Sequence, residues 1–334
     1  MAARQGISRR TFLKGALAFA AISAVSVTGC SSGEGETASV IVGTMPTEDI
    51  LPLWVAEQEE LFAKHNLDVT IQVFDSAQNL SAAITAGEVD LAMTDPMRAV
   101  KLCESGTMVS MEWVTLGSEP EQGRFGVLAA ADSGIESLED LVGCENGVGV
   151  AANTVPEYVL DKLCEQAGID PADVPTSEVA SLPDRYSLVA SGSLDAAALP
   201  GSMLSLGEAS GLVVLADDTE GDNLSQSVMV AREEFKAASE DAIDSLRDAW
   251  DEAAELVNAD PESYRSLLAE NANLNEAVVD DYPISEYPLA TDGSGNALYP
   301  AAELIEPQLT WMAGKGYSEG GVSYDESDGS FTVE

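Results

Sequence analysis

A short phrase occurs twice in the chain, and this repetition constrains the fold more than any other feature. The first copy is AAITAGEVDLAMTDP at residues 82–96, and the second is YSLVASGSLDAAALPG at residues 186–201. In both, a helical end rich in small residues runs into glycine, two further residues, aspartate and an apolar run. Gly87 and Asp90 belong to the first copy and Gly192 and Asp195 to the second, an offset of 105 residues (192 minus 87). The repetition predicts two copies of one βα unit.

Two further landmarks recur at nearly the same offset. A β-branched run, a polar turn and an amphipathic helix form SVIVGTMPTEDILPLWVAEQ at residues 39–58, and GVGVAANTVPEYVLDKLC repeats that order at residues 147–164. Apolar strands follow each repeated phrase, MVSMEWVTL at 108–116 and LVVLADD at 212–218. Strands that alternate with helices predict right-handed βαβ units, and so two α/β lobes with parallel-rich sheets. The alternative is a chance similarity between generic βα units.

Two extended stretches, RFGVLAA at 124–130 and SQSVMVA at 225–231, bracket the second lobe and predict two crossings between the lobes. Two connections in parallel form a hinge. A later helix carries Ile243, Leu246, Trp250, Ala253 and Val257 on one face, which predicts that the C-terminal part packs on the first lobe. The predicted domains are a signal at 1–30, a tether at 31–38, lobe 1 at 39–125, lobe 2 at 126–226 and a C-terminal helical part at 227–334.

The first thirty residues have the pattern of an export signal. SRRTFLK at residues 8–14 has the form of a twin-arginine signal, and the apolar run at 15–27 is too short to span a bilayer. VTGC then resembles a bacterial lipobox, in which Cys30 becomes the lipidated first residue. We therefore expect a lipid-anchored protein at the extracytoplasmic face of the cell membrane. An uncleaved N-terminal anchor is the alternative.

The charge of the chain excludes some partners. The signal holds four of the 15 basic residues and none of the 58 acids, so the mature part keeps 11 basic residues and a formal charge of −47. Such a field repels nucleic acid and anionic lipid headgroups. It does not by itself make the ligand cationic, because dense surface carboxylate is more often an adaptation for solubility or high salt.

The sequence offers no catalytic, metal or cofactor motif. One histidine, His65, leaves little room for a triad, and H-E-x-x-H and G-x-S-x-G are absent. GVGVAA at 147–152 is a weak dinucleotide signal because its glycines fall within a strand. The remaining cysteines, Cys103, Cys144 and Cys164, lack metal-ligand spacing; a Cys144–Cys164 disulfide and three buried thiols are both compatible with the sequence.

From about residue 40 to residue 258 the order of landmarks resembles the nitrate/sulfonate/taurine and thiamine-pyrimidine binding proteins of ABC importers (SsuA-like, ThiY-like). PTEDILPLWVAEQEELFAKHNLDVTIQVFDSAQNLSAAITAGEVDLAMTD, SGIESLEDLVG and SLVASGSLDAAALPGSM carry the resemblance. It implies a two-lobed periplasmic-binding-protein fold of the two-crossover type (type II). It also implies the capture of a small solute for a membrane permease. Because the sequence contains no G-x-x-x-x-G-K-[ST] motif, the ATPase is expected on a separate chain. We expect a monomer without enzymatic activity.

Two departures from the family leave the ligand open. The turn after the first strand, residues 44–49, lacks the aromatic residues of the thiamine-pyrimidine binders, and the chain lacks the cysteine-rich motif of the related pyrimidine synthases. The alternatives to an importer component are a secreted enzyme of the same fold, such as a pyrimidine-synthase relative, and a ligand-sensing lipoprotein without a transport role.

Ligands of parallel α/β sheets bind outside the carboxyl ends of the strands, so two facing lobes form one cleft. This rule selects fifteen candidate ligand-binding residues: Thr44, Pro46, Thr47, Glu48, Asp49, Phe74, Ser76, Thr94, Asp95, Arg124, Asn153, Thr154, Leu199, Pro200 and Asp217.

Several of these candidates have a plainer interpretation. Thr154 begins a capping box with Glu157, and the N–H groups of that helix end could hold an anion. Asp49 is expected to cap the next helix, which would oppose an anion there. Phe74 either stacks on a planar ligand or packs in the core, and Arg124 either binds an anion or forms a surface ion pair. Asp90 and Asp195 are expected to fix local turns rather than to touch a ligand.

Overall fold

The computed structural model describes residues 37–272 and 274–334, and the predicted export signal, Cys30 and most of the predicted tether lie outside these residues. The described residues form one compact unit. The first half of this unit alternates strands and helices: β1 (Ala38–Thr44), α1 (Leu51–Gln58), α2 (Leu61–Lys64), β2 (Leu67–Val73), α3 (Ala77–Ala86), β3 (Leu91–Thr94), α4 (Pro96–Glu104) and β4 (Val109–Leu116).

A similar alternation of strands and helices then follows, and after it comes a C-terminal part. The repeat comprises β5 (Phe125–Ala129), β6 (Val148–Val150), α5 (Val155–Gln166), β7 (Thr176–Glu178), α6 (Leu182–Ala190), β8 (Ala196–Pro200), α7 (Gly201–Ala209) and β9 (Val213–Asp217). The remainder comprises β10 (Ser227–Arg232), α8 (Glu233–Ala238), α9 (Glu240–Ala259), α10 (Arg265–Asn271), α11 (Ala302–Lys315), β11 (Val322–Asp325) and β12 (Ser330–Val333).

Two five-stranded sheets define the lobes, and their strand orders correspond one to one. Lobe 1 has the order β2-β1-β3-β10-β4, and lobe 2 has the order β7-β6-β8-β5-β9. In each sheet the fourth strand is antiparallel to its neighbours and is the strand that follows a crossing between the lobes. The predicted α/β fold with two lobes of one plan is therefore confirmed.

The repeated phrase has the same structural role in both lobes. Gly87 and Gly192 follow α3 and α6 in the left-handed conformation, at φ +71° and +70°, which glycine adopts without steric cost. The carboxylate of Asp90 accepts a hydrogen bond from the Ile41 N–H at 2.9 Å, and that of Asp195 accepts one from the Asn146 N–H at 2.7 Å. The local role predicted for the two aspartates was wrong, because each reaches a neighbouring segment 49 residues upstream.

The two crossings pack directly against each other. The Asp218 carboxylate of the second crossing accepts a hydrogen bond from the Phe125 N–H at 2.7 Å, and the Asn223 amide donates to the Gly117 carbonyl at 2.9 Å. Gly117 has φ +90°, and a Cβ at this position would lie 2.0 Å from the Ser225 carbonyl oxygen. The crossings therefore form a single joint.

The C-terminal part contacts both lobes. The apolar stripe of α9 is fully buried and belongs to the core of lobe 1. Helix α11 lies instead against α4 of lobe 1 and joins an apolar core that is continuous with lobe 2. In this helix the Trp311 indole donates to Asp161 of α5 at 2.8 Å. The β11–β12 hairpin, which the sequence did not predict, pairs its strands antiparallel and contacts β4 and α4.

Cys103, Cys144 and Cys164 are free thiols, so the disulfide that the sequence allowed is not formed. Burial raises the pKa of Cys103 and of Cys164 to about 11, which keeps both thiols protonated at neutral pH. None of the helices in the described residues is both long and apolar enough to cross a membrane.

The joint between the crossings generates a stability prediction. Gly117→Ala places a methyl group against a backbone oxygen in addition to forcing a left-handed alanine, whereas Gly106→Ala forces the same φ (+91°) in open space. We expect Gly106→Ala to lower the free energy of unfolding by about 1 kcal/mol and Gly117→Ala by about 2 kcal/mol more. Chemical denaturation measures both losses. Equal losses would show that the crossings are not in close contact.

Candidate functional site

A cavity of about 50 Å³ lies between the two lobes, enough for a few water molecules or a small solute. Its lining comes from both sheets and from the helices that follow their strands. From lobe 1 the lining residues are Met45, Thr47, Asp49, Ala77, Met93, Thr94, Asp95 and Ser227, and from lobe 2 they are Phe125, Ala151, Thr154, Val155, Pro156, Ala180, Leu182, Arg185 and Pro200.

Of the fifteen predicted residues, six line this cavity: Thr47, Asp49, Thr94, Asp95, Thr154 and Pro200. Seven others are not among the lining residues: Thr44, Pro46, Glu48, Phe74, Ser76, Asn153 and Leu199. The last two, Arg124 and Asp217, form an ion pair with each other at 2.8 Å, where the first crossing enters lobe 2. The ligand contacts of all fifteen stay a prediction.

Several neighbours of the cavity have structural partners instead. Ser76 caps α3 by accepting from the Asn79 N–H at 3.3 Å, and Thr44 donates to the Met45 carbonyl at 3.0 Å. Phe74 is partly buried against the core that the lobes share, and Leu199 is buried in the core of lobe 2.

The acidic wall of the cavity lies after β1. Asp49 does not cap α1 as predicted, because Ile50 is the N-cap and Asp49 lies in a short 3-10 turn, Glu48–Ile50. Its carboxylate accepts a hydrogen bond from the Ser227 hydroxyl at 2.5 Å. Burial and the neighbouring Asp49 raise the pKa of Glu48 to about 7, although the Tyr282 hydroxyl donates to it. Lobe 1 therefore presents the buried carboxyl group of Asp49 to the cavity, next to that of Glu48 in the chain.

Asp95 connects lobe 1 to lobe 2. It is the N-cap of α4 and accepts from the Arg98 N–H at 2.8 Å, and the Val155 N–H at the start of α5 also donates to it. The Arg98 guanidinium in turn donates to the Ala152 carbonyl at 3.0 Å. Burial raises the pKa of Asp95 to about 6, because desolvation outweighs Arg98 and the backbone donors. These contacts hold the lobes in a closed arrangement.

The start of α5 differs from the predicted capping box. Thr154 is the N-cap, but its hydroxyl donates to the Ala151 carbonyl at 2.6 Å and accepts no hydrogen bond from the helix. Glu157 accepts instead from the Asn153 N–H at 2.7 Å. Asn153 has φ +56°, and neither polar atom of its buried amide has a partner among the described residues. The Thr154 hydroxyl is therefore not used to cap the helix.

Arg185 is the one charged cavity residue among the described residues that the sequence analysis did not predict. Its side chain is 1% exposed and donates to three backbone carbonyls, those of Val179 (2.9 Å), Ala198 (2.9 Å) and Ala180 (3.4 Å). Burial lowers the pKa of Arg185 to about 10, so it stays charged at neutral pH. Gly149 gives it room, because a Cβ there would lie 3.0 Å from the arginine Cγ.

A signal for Arg185 was present in the sequence. The buried face of α6 is formed by Leu182, Arg185 and Val189, at positions i, i+3 and i+7. An arginine at a core position of an amphipathic helix is an exception to the pattern of apolar residues. Phe125 and Ser227, two of the other cavity residues that were not predicted, begin the antiparallel strands, and the rule of carboxyl ends does not select them.

Within residues 37–272 and 274–334, no group of three or more histidine, cysteine or acidic side chains is placed to hold a metal ion. The cavity instead combines buried carboxylates on one lobe, a buried guanidinium on the other and hydroxyl groups between them. It can bind a small polar solute by hydrogen bonds and charge from both sides.

The architecture is that of the two-lobed periplasmic binding proteins, with the two-crossover connection that the sequence resemblance implied. The family model described as NMT1/THI5 like matches residues 47–264, about two thirds of the chain, and the protein therefore belongs to this family. No curated protein matches the sequence.

Solved structures of binding proteins have the same fold. The alkanesulfonate-binding protein SsuA from Xanthomonas axonopodis pv. citri, bound to MOPS, has a TM-score of 0.68 at 17% identity, covering 85% of this chain and 94% of SsuA. The nitrate-binding protein NrtA from Synechocystis PCC 6803 has a TM-score of 0.68 at 14% identity (85% and 83%). The ligand-binding component of an ABC-type import system from Staphylococcus aureus has 0.70 at 15% (89% and 96%).

The raised pKa of Asp95 predicts a dependence of stability on pH. Its folded-state pKa of about 6 lies above the ordinary value of 3.8, so the folded protein binds this proton more tightly than the unfolded chain. The contribution to stability is therefore complete below about pH 4 and is lost as the pH rises through 6. We expect Asp95→Asn to gain roughly 3 kcal/mol relative to the wild type between pH 4 and pH 7.

Denaturant unfolding at a series of pH values measures this difference. The control is Asp68→Asn, which removes an exposed carboxylate of the same lobe and corrects for the overall negative charge. A difference between Asp95→Asn and the control that does not change with pH would contradict a buried, desolvated Asp95.

Proposed function

We propose that this protein is the solute-binding component of an ABC importer. The observation that carries the proposal is a cavity lined by residues from both of two similar lobes that are joined by paired crossings. A solute that contacts both lobes binds the closed form more tightly and shifts the population towards it. The permease and the ATPase, on separate chains, then respond to the closed form.

The proposed location is the extracytoplasmic face of the cell membrane. Export by the twin-arginine route and a lipid on Cys30 would place the protein there, with the segment before β1 as a tether. The binding proteins of similar fold support this location, since SsuA of Escherichia coli is described as periplasmic. We propose that the protein acts as a monomer, with the sulfonate, nitrate and thiamine-pyrimidine class as the range of solutes.

The proposed role is binding without chemical conversion. The described residues that line the cavity include neither cysteine nor histidine. His65 lies on the surface of lobe 1, with its ring 3.3 Å from the Glu252 carboxylate. The described residues that line the cleft therefore do not supply the cysteine and histidine side chains that a pyrimidine-synthase relative would use.

The bound solute identifies the function directly. We expect mass spectrometry of molecules released from gently purified protein to find one small solute per chain. Incubation with the purified protein should return that solute chemically unchanged. Conversion of the solute to a product would favour the enzyme alternative, and failure to retain or bind any member of a broad metabolite library would contradict a binding protein.

The contacts between the lobes predict a variant with weakened closure. Arg98 does not line the cavity, and Arg98→Ala removes its hydrogen bond to the Ala152 carbonyl. Because a charged hydrogen bond contributes about 1.5 kcal/mol or more, we expect roughly 10-fold weaker binding of the recovered solute and faster hydrogen exchange at the Val155 amide. The control is Lys162→Ala, which removes an ion pair within α5. Equal affinity of the two variants would contradict coupling between closure and binding.

A further inference from the structure

The guanidinium of Arg185 lacks a carboxylate partner. Its three hydrogen bonds go to backbone carbonyls, and no ion pair joins it to any acid of the described residues. The negative charge of Glu178 acts on the pKa of Arg185, but the Glu178 carboxylate forms no ion pair with it and accepts a hydrogen bond from the Ala152 N–H at 2.8 Å. Arg185 is thus a buried positive charge that only neutral oxygens contact.

A buried charge of this kind is costly, because removal from water is offset only by an opposite charge with good hydrogen bonds. A guanidinium has five N–H donors, and the three acceptors found among the described residues leave two of these donors without a partner there. Arg185 lines the cavity. An anionic group that enters the cavity would supply the missing charge and accept the remaining donors.

The opposite wall has the reverse character. Asp49 is 5% exposed and lines the same cavity, and its described partner is the neutral Ser227 hydroxyl, which contacts one of its two oxygens. Next to it, the Thr47 hydroxyl is buried and has no hydrogen-bond partner among the described residues. A group with several N–H donors and a positive charge would satisfy both side chains.

Asp95 does not compete for this role. Its carboxylate already accepts hydrogen bonds from the backbone N–H groups of Arg98 and Val155, so it acts between the lobes. Although Asp95 begins α4, its carboxylate lies in space beside the start of α5, where an anionic ligand would otherwise be expected. The anion of the solute is therefore directed to Arg185 rather than to this helix end.

We propose, on the basis of the proposed solute-binding function, that the cleft selects a small bipolar solute, with an anionic group on Arg185 and an ammonium group on Asp49. The two charged groups of the solute then bind to opposite lobes, so that binding of either group alone does not close the cleft. The small cavity favours a short spacer between the charged groups.

Matched probes test this inference. One set is 2-aminoethanesulfonate, ethanesulfonate and ethylamine, and the other is 3-aminopropanoate, propanoate and propylamine. Calorimetry on the purified protein should find that the bipolar member of at least one set binds 10-fold or more tightly than both singly charged members, since each tenfold step is about 1.4 kcal/mol. A singly charged probe that binds as tightly as the bipolar probe would overturn the inference, but it would not contradict the proposed solute-binding function.

Variants assign the two ends of the solute. Asp49→Asn keeps the acceptor for Ser227 but removes the charge, and it should bring the affinity of the bipolar probe to within about 3-fold of the anionic probe. Asp68→Asn, which removes an exposed charge from the same lobe, should leave the preference unchanged. Arg185→Lys should weaken the bipolar and anionic probes alike by 10-fold or more, with the folded state checked by circular dichroism.

The remaining outcomes are also decisive. An unchanged preference in Asp49→Asn would overturn the assignment of that end even if Arg185→Lys does not fold. Binding of a neutral solute from the metabolite library, with no binding of any probe, would overturn the bipolar inference and support the proposed function. No binding of any probe or library member would contradict both proposals.

Discussion

The two segments that carry the chain between the lobes lie so close together that a single added carbon on Gly117 would collide with the backbone at Ser225. Asp218 and Asn223 then tie the segments by hydrogen bonds to Phe125 and Gly117. Because each crossing leads directly into the antiparallel strand of the next sheet, the joint also fixes where the two sheets face each other. The position of the cleft follows from this joint.

The fold was predictable because duplication leaves a pattern that residue spacing preserves. Gly87 with Asp90 and Gly192 with Asp195 marked equivalent points, and the sheets place them equivalently. The β11–β12 hairpin was missed because its short strands follow a segment without clear periodicity. The contact between α11 and lobe 2 was not predicted, because Trp311 of α11 and its partner Asp161 lie 150 residues apart in the chain.

The candidate site was predictable only in part. The rule that ligands bind at the carboxyl ends of parallel strands selected Thr47, Asp49 and Thr94, and these residues line the cavity. It could not select Ser227 and Phe125, because they begin antiparallel strands. Asp49 does not cap α1 because a distant residue, Ser227, satisfies its carboxylate. Thr154 is the N-cap of α5 as predicted, but its hydroxyl donates to the nearby Ala151 carbonyl and does not accept from the helix.

The central claim is that the lobes close on a solute by rotation about the paired crossings. Small-angle X-ray scattering tests it most directly, on the protein freed of solute and again after the recovered solute is added back. The account predicts a smaller radius of gyration with the solute and an unchanged molecular mass. The same radius of gyration in both samples, at a concentration that saturates the protein, would contradict closure of the lobes on a solute.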